Sequence, residues 1–400
     1  MTMKISRNAA GDASAFFARH ADKYAGWRRH LHQWPELAYE EHRTSQFIAD
    51  QLTEMGIEFE TGIAGTGLVA TLEGREDGSA VGLRADMDAL PIPEEGDVPH
   101  RSKVEGVSHV CGHDGHVTML LAAADYLSAS RDFAGTVRFI FQPAEEAQGG
   151  GRVMVEEGLF ERFPVETIFG MHNWPGLPLG TIAAKAGPIM AAMDLFTITL
   201  RGAGVHAALP HLGTDSIVAS GALISSLQTI ASRAVDAMQP IVVSLTQIRG
   251  GNSLNAIPNE VVLNGTVRSL WPESRAKVRK RLEEIVTGIA GAHAVEAHFA
   301  FESRYPVTVN DRQWAAVATA IAVDICGREK VLFEHTPSMA SEDFAFMLDA
   351  KPGCYVWIGN GCDVPLHSPL FDFNDELIPF GAHYWVELAR NWARKRDEQN

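Results

Sequence analysis

The stretch VTMLLAAADYLSASRDFAGTVRFIFQPAEE (117–146) reads as a helix from about Val117 to Leu127, then a strand at Val137–Phe141 that delivers two adjacent carboxylates. The same alternation continues on both sides. Short apolar runs at Leu68–Leu72 and Val81–Ala85 read as strands, followed by a loop through His100. A helix falls near Val153 and a strand at Thr167–Met171. Upstream, Asp12 to Gln33 and Glu40 to Met55 carry helical spacing, with Pro35 between them and Gly56 where a helix stops. Strands alternating with helices imply an α/β domain with a mainly parallel sheet flanked by helices.

The middle of the chain has another rhythm. Asp194–Arg201 alternates as a strand, Asp215–Asp236 reads as a helix, and Ile241–Ile248 and Val261–Ser269 are strands. Glu273–Ala290 is helical and Val295–Phe301 is a last strand. This β-α-β-β-α-β order is that of a ferredoxin-like α+β domain. It predicts a unit at 193–303 inserted into a main domain of residues 1–192 and 304–400. The open sheet has edges to cover, which suits a dimerisation or lid role.

At 400 residues, two domains are expected. A net charge of −16 argues against a nucleic-acid or anionic-membrane partner, since each calls for a basic face. The N-terminal MTMKISRNAAGDASAFF lacks the apolar stretch of a secretion signal, and no run is long enough to span a membrane. Four scattered cysteines (Cys111, Cys326, Cys354, Cys362) form no disulfide framework. A cytoplasmic protein is the expectation.

In open α/β sheets, ligands bind beyond the carboxyl ends of the strands. Asp86 and Asp88 follow one strand, Glu145 and Glu146 a second, and His172 a third. The segment HVCGHDGH (109–116) adds Cys111, His113, Asp114 and His116, a thiol, imidazoles and a carboxylate of the types divalent transition metals favour. The same segment also reads as a plain helix start capped by Asp114, or Cys111 as a nucleophile paired with a histidine. In the Glu145-Glu146 pair, one carboxylate can hold metal while the other takes a proton from water. Two adjacent glutamates are also an ordinary solvated helix start.

These segments together resemble the M20 metallopeptidases and aminoacylases, in the branch of hippurate hydrolases and auxin-conjugate amidohydrolases. The matching stretches are RRHLHQWPELAYEE (28–41), LRADMDALPI (83–92), HVCGHDGH (109–116), FQPAEE (141–146), GMHNWPGLPLG (170–180), GVHAALPHLGTDSI (204–217), GGNSLNAIPNEV (250–261), SMASEDFAFML (338–348) and PLHSPLFDFND (365–375). The resemblance implies two divalent ions per subunit (Mn²⁺, Zn²⁺, Co²⁺ or Ni²⁺) held by Cys111, His113, Glu146, His172 and His367, with Cys111 bridging. It implies Glu145 as general base and His206 as support for the oxyanion, reaching in related enzymes into the neighbouring subunit's site. Asn255 and Arg268 are candidates for holding a substrate carboxylate.

One departure concerns the H-x-D-x-x-P segment of many such enzymes, which here reads D-M-D-A-L-P. Asp86 and Asp88, with Asp114, are then expected to orient ligands; direct ligation by Asp86 is the other reading. The implied reaction is hydrolysis of an N-acyl amino acid, hippurate-like, to a carboxylic acid and a free amino acid by a homodimer or tetramer. A deacetylase of an N-acetylated diamino-acid intermediate and a non-catalytic binding protein on the same fold are the alternatives.

Overall fold

The computed structural model describes residues 8–146 and 149–399. The first seven residues, part of the stretch read as lacking a secretion signal, lie outside them. The chain forms two compact units: Met1–Gly187 with Val309–Thr336 and Asp343–Asn400, and Pro188–Thr308 with Pro337–Glu342.

The larger unit is built on an eight-stranded sheet. Its centre is parallel. Strand Glu76–Asp86 lies between Ala134–Gln142 and Thr167–Trp174, and Gly353–Gly359 runs parallel to the last. Strands Gly67–Glu73 and Glu58–Ile63 extend one side antiparallel. Register fixes which ends meet: Asp86 lies opposite Gln142, and Trp357 opposite His172. The three strand ends that carry candidate ligands therefore sit along one edge.

Adjacent residues point to opposite faces of this sheet. A side chain on Gly170 would meet Tyr355 and Phe344, whereas Met171 reaches Gly381 on the other side. Helix Phe344–Ala350 thus covers one face and the long C-terminal helix Ile378–Gln399 the other. The latter packs with helices His113–Ser130 and Arg312–Cys326 over a core that includes Phe169, Met171, Leu120, Ile321 and Trp385. Helix His113–Ser130 is buried on nearly every side, which accounts for its continuous apolar run.

The N-terminal helical run is two helices, Asn8–Arg19 and Ala21–Gln33, rather than one from Asp12. They break at His20, whose Nδ1 donates to the Phe16 carbonyl and competes with the helical ladder. No glycine or proline marks the break in the sequence.

The smaller unit has a four-stranded antiparallel sheet in the order Ile241–Gly250, Glu260–Ser269, Ala192–Arg201, Glu296–Tyr305. Helices Ser216–Leu227 and Pro272–Ala292 join it through a core of Phe196, Ile198, Leu223, Leu263 and Leu282. This is the ferredoxin-like arrangement. The helix expected to run to Asp236 ends at Leu227, and a π-helical turn follows at Ile230–Ala234. Ser225, Ser226, Thr229 and Ser232 each donate to a carbonyl three or four residues back, a bonding that bends helices.

Candidate metal centre

Helix His113–Ser130 starts where Gly112 adopts φ 91°, a left-handed conformation that glycine takes without strain. A Cβ there would stand 2.0 Å from Asn173 Oδ1. Only glycine lets the chain turn so tightly that Cys111 and His113 approach the end of the strand bearing His172. His113, Asp114 and His116 occupy the first turn of the helix, all buried.

The geometry separates the two histidines. Nδ1 of His113 donates to the Asp88 carbonyl at 2.9 Å, which leaves the Nε2 lone pair bare. Among the described residues, that buried Nε2 has no hydrogen-bond partner. His116 has both nitrogens engaged, Nδ1 with Asp86 Oδ1 at 2.5 Å and Nε2 with the Asn173 N–H at 3.0 Å. It braces the site, whereas His113 has a ligand lone pair free. His172 is oriented in the same way, with Nδ1 donating to the Asn173 carbonyl at 2.7 Å, and its Nε2 meets Cys111 Sγ at 3.4 Å.

Cys111, His113 and Glu146 bring one donor atom each within 4.8 Å of one another, as do Asp86, His113, His116 and His172. Among the described residues, the polar contact of the buried Glu146 Oε1 is His367 Nε2 at 3.1 Å. The structure therefore gathers Cys111, His113, Glu146, His172 and His367 into one group. Its unpartnered lone pairs and its S, N and O donors fit divalent ions. Electrostatics agrees. Burial alone would lower the His113 pKa, but Asp86, Asp88 and Glu146 raise it to about 10. The same negative field favours a divalent cation. Burial, Glu146, Glu145 and Asp86 push the Cys111 thiol well up, the opposite of what an unaided cysteine nucleophile needs.

Asp88 is the hub of the glutamate pair. Its two carboxylate oxygens accept the backbone N–H groups of Glu145 at 3.0 Å and Glu146 at 2.9 Å, and one of them lies 3.3 Å from His113 Nδ1. The turn before the pair has Ala144 at φ 54°, and His367 sits at φ 64°. Each such non-glycine residue costs roughly 1–2 kcal/mol. Glu41 holds the first in place, accepting the Ala144 N–H at 2.8 Å and the Thr66 hydroxyl at 2.5 Å. Glu145 is buried, and its Oε1 accepts the Asp343 N–H at 3.3 Å.

Asp86 links this cluster to a buried network. Its Oδ2 accepts from Arg84 at 2.6 Å, and Arg84 also donates to Gln142 at 2.8 Å and Asp343 at 3.0 Å. Burial would raise the Asp86 pKa, but His113, Arg84 and His116 hold it well below the carboxylate range. Asp114 points elsewhere. It accepts from His32 Nδ1 at 2.8 Å and lies 3.6 Å from Arg28. Arg28, fully buried, donates to Asp372 at 2.7 Å and Asp375 at 2.6 Å. It thereby straps the segment that carries His367 to the helix that carries His113. His32, His100 and Asp372 also have the donor types of a cation site, but the Arg28 guanidinium, 3.1 Å from His100 Nε2, already supplies the positive charge.

The remaining expected residues lie in the smaller unit. His206 pairs with Ala256 on a two-stranded antiparallel ladder, and the Asn255 carbonyl accepts the Ala207 N–H at 2.9 Å, so His206 and Asn255, distant in sequence, share one exposed ladder. Arg268 is placed apart from them, near the far end of strand Glu260–Ser269, where it donates to Ser341 Oγ. Glu41, Arg28, His32, Arg84 and Asp343 were not singled out by sequence reasoning. Each falls within a quoted motif, and only its long-range partner reveals what it does.

Residues 82–391 match the model of peptidase family M20/M25/M40. The chain is 40% identical over 364 residues to an N-acetylcysteine deacetylase of Bacillus subtilis, covering 90% of this chain and 94% of that protein. It is 39% identical over 367 residues to a hippurate hydrolase of Campylobacter jejuni, covering 92% and 96%. Among solved structures it is similar to the Bacillus subtilis YXEP protein, a dinuclear metal binding peptidase from the M20 family. That likeness has a TM-score of 0.81 at 36% identity and covers 93% of this chain and 98% of that one.

Proposed function

Since the chain belongs to peptidase family M20/M25/M40 and is a hydrolase of amide bonds, we propose that it cleaves hippurate-like N-acyl amino acids to a carboxylic acid and a free amino acid. The observation that carries this reading is the adjacent pair Glu145-Glu146. The Glu146 carboxylate lies with the Cys111 and His113 donors, and Glu145 is buried and close enough to act on the Cys111 thiol.

Cys111, His113, Glu146, His172 and His367 would hold two divalent ions. Such ions polarise an amide carbonyl and lower the pKa of water towards ~7. Glu145 takes the proton of the attacking water and returns it to the amide nitrogen as the C–N bond breaks. The Asp88 contacts to both backbone N–H groups fix the relative aim of base and ligand. His206 is assigned the oxyanion contact. Its Nδ1 accepts the Ala208 N–H at 3.1 Å, which leaves Nε2–H as a donor; one such donor is worth ~2.7–4 kcal/mol. Asn255, beside His206, is assigned to the substrate carboxylate; Arg268, which stands apart from both, is assigned to it only as a residue of the other subunit of a dimer.

The smaller unit is assigned to dimerisation, supported by its exposed Leu212, Ile217, Val218 and Ile248 and by the edge strand Ile241–Gly250. Among the described residues no helix is long and apolar enough to cross a membrane. A deacetylase reading remains as the second, favoured by the likeness to the Bacillus enzyme.

The test is Glu145→Gln. Its metal content should equal that of the parent while glycine release from N-benzoylglycine falls at least ~100-fold. Near-parental turnover removes Glu145 from the role of base.

A further inference from the structure

His172 and Trp174 lie two residues apart on one strand and so share a face. The neighbouring parallel strand places Trp357 level with His172. The two indoles stack, with centroids 3.9 Å apart and planes inclined by 10°. His335 packs on Trp357 at 4.7 Å. The Trp174 ring also stands 6.3 Å from that of His172, edge to face at 73°. An aromatic wall therefore begins one ring away from the metal centre.

This wall is rigid and uncharged. The turn after Trp174 is pinned by the Gly176 N–H to the Cys362 carbonyl at 2.8 Å and by the Gly361 N–H to the Leu177 carbonyl at 3.1 Å. Trp357 is 4% exposed, and its buried indole N–H has no hydrogen-bond partner among the described residues. Trp174 is only partly buried. Amide hydrolysis itself asks nothing of an indole pair. An N-acyl amino acid has one anionic end and one uncharged end, and a stacked aromatic surface without fixed charge suits the uncharged acyl end. Flat rings gain from such stacking beyond the area they bury.

We propose that Trp174, backed by Trp357, is the wall against which the acyl group packs, and that it sets a preference for aromatic over small aliphatic acyl groups. The inference rests on the hydrolysis proposed above. Its test compares kcat/KM for N-benzoylglycine, N-acetylglycine and N-acetylphenylalanine in the parent, Trp174→Ala and Trp174→Phe. Trp174→Ala should lower the benzoyl-to-acetyl ratio on glycine by about tenfold or more, chiefly through KM, and Trp174→Phe should restore most of it. An unchanged ratio overturns the inference, because a merely structural role would lower all three substrates alike. A loss confined to N-acetylphenylalanine also overturns it, since the wall would then hold the amino-acid side chain. If the parent releases glycine from neither glycine substrate, the hydrolysis reading fails by itself. The wall is then read from calorimetric binding of N-benzoylglycine, which Trp174→Ala must weaken for the inference to stand.

Discussion

Replacing Asp88 by Asn isolates what a carboxylate does beneath the metal ligands. The Asn carbonyl can still accept one of the two N–H groups that Asp88 now accepts from Glu145 and Glu146. Its NH₂ end faces the other as donor against donor. The His113 Nδ1 bond to the residue-88 backbone carbonyl, at 2.9 Å, is untouched. The change therefore removes about one charge-assisted hydrogen bond, roughly 1.5–3 kcal/mol. If that energy serves to aim Glu146, the variant binds divalent metal about ten- to a hundredfold more weakly. Competition titration of Zn²⁺ or Mn²⁺ against a chromogenic chelator measures this directly, with thermal unfolding as a check that the fold persists. A folded Asp88→Asn protein with affinity within about twofold of the parent would refute the reasoning.

Two further outcomes follow from the surroundings of the site. Gly112→Ala should destabilise by about 2–5 kcal/mol, from the left-handed backbone and the 2.0 Å approach to Asn173 Oδ1; an unchanged urea midpoint would contradict it. His32 is pushed up to about 9, burial being outweighed by its bonds to Asp114 and Glu94. A raised folded-state pKa means that its contribution, on the order of 3 kcal/mol, is complete below about pH 6.5 and is lost as pH rises through about 9. The gap in thermal midpoint between the parent and His32→Gln should therefore be wide at pH 6 and narrow at pH 9.5; a constant gap would count against the assignment.

The fold was legible because its signals are local. Strand Val137–Phe141 and its neighbours announce themselves as apolar runs, and the topology of a parallel sheet then brings their carboxyl ends to one edge. Asp86, Glu145, Glu146 and His172 could be found together for that reason. The supports could not. His32 meets Asp114 across 82 residues, Glu41 meets Ala144 across 103, and Arg28 meets Asp372 across 344. No periodicity encodes such pairs. Asp114 shows the consequence: its place beside His113 suggested that it orients a ligand, whereas its carboxylate turns to His32 and Arg28. The distinction between His113 and His116 was equally hidden, because it lies in which ring nitrogen finds a partner.

Metal-dependent amide hydrolysis at the Cys111–His113–Glu146–His172–His367 group is the central proposal. The most direct measurement is glycine release from N-benzoylglycine by protein stripped with a chelator and then titrated with Mn²⁺, Zn²⁺, Co²⁺ or Ni²⁺, with bound metal counted alongside. The prediction is no turnover in the stripped protein, and recovery that saturates at about two ions per chain. Undiminished release by protein shown to be free of metal would contradict it.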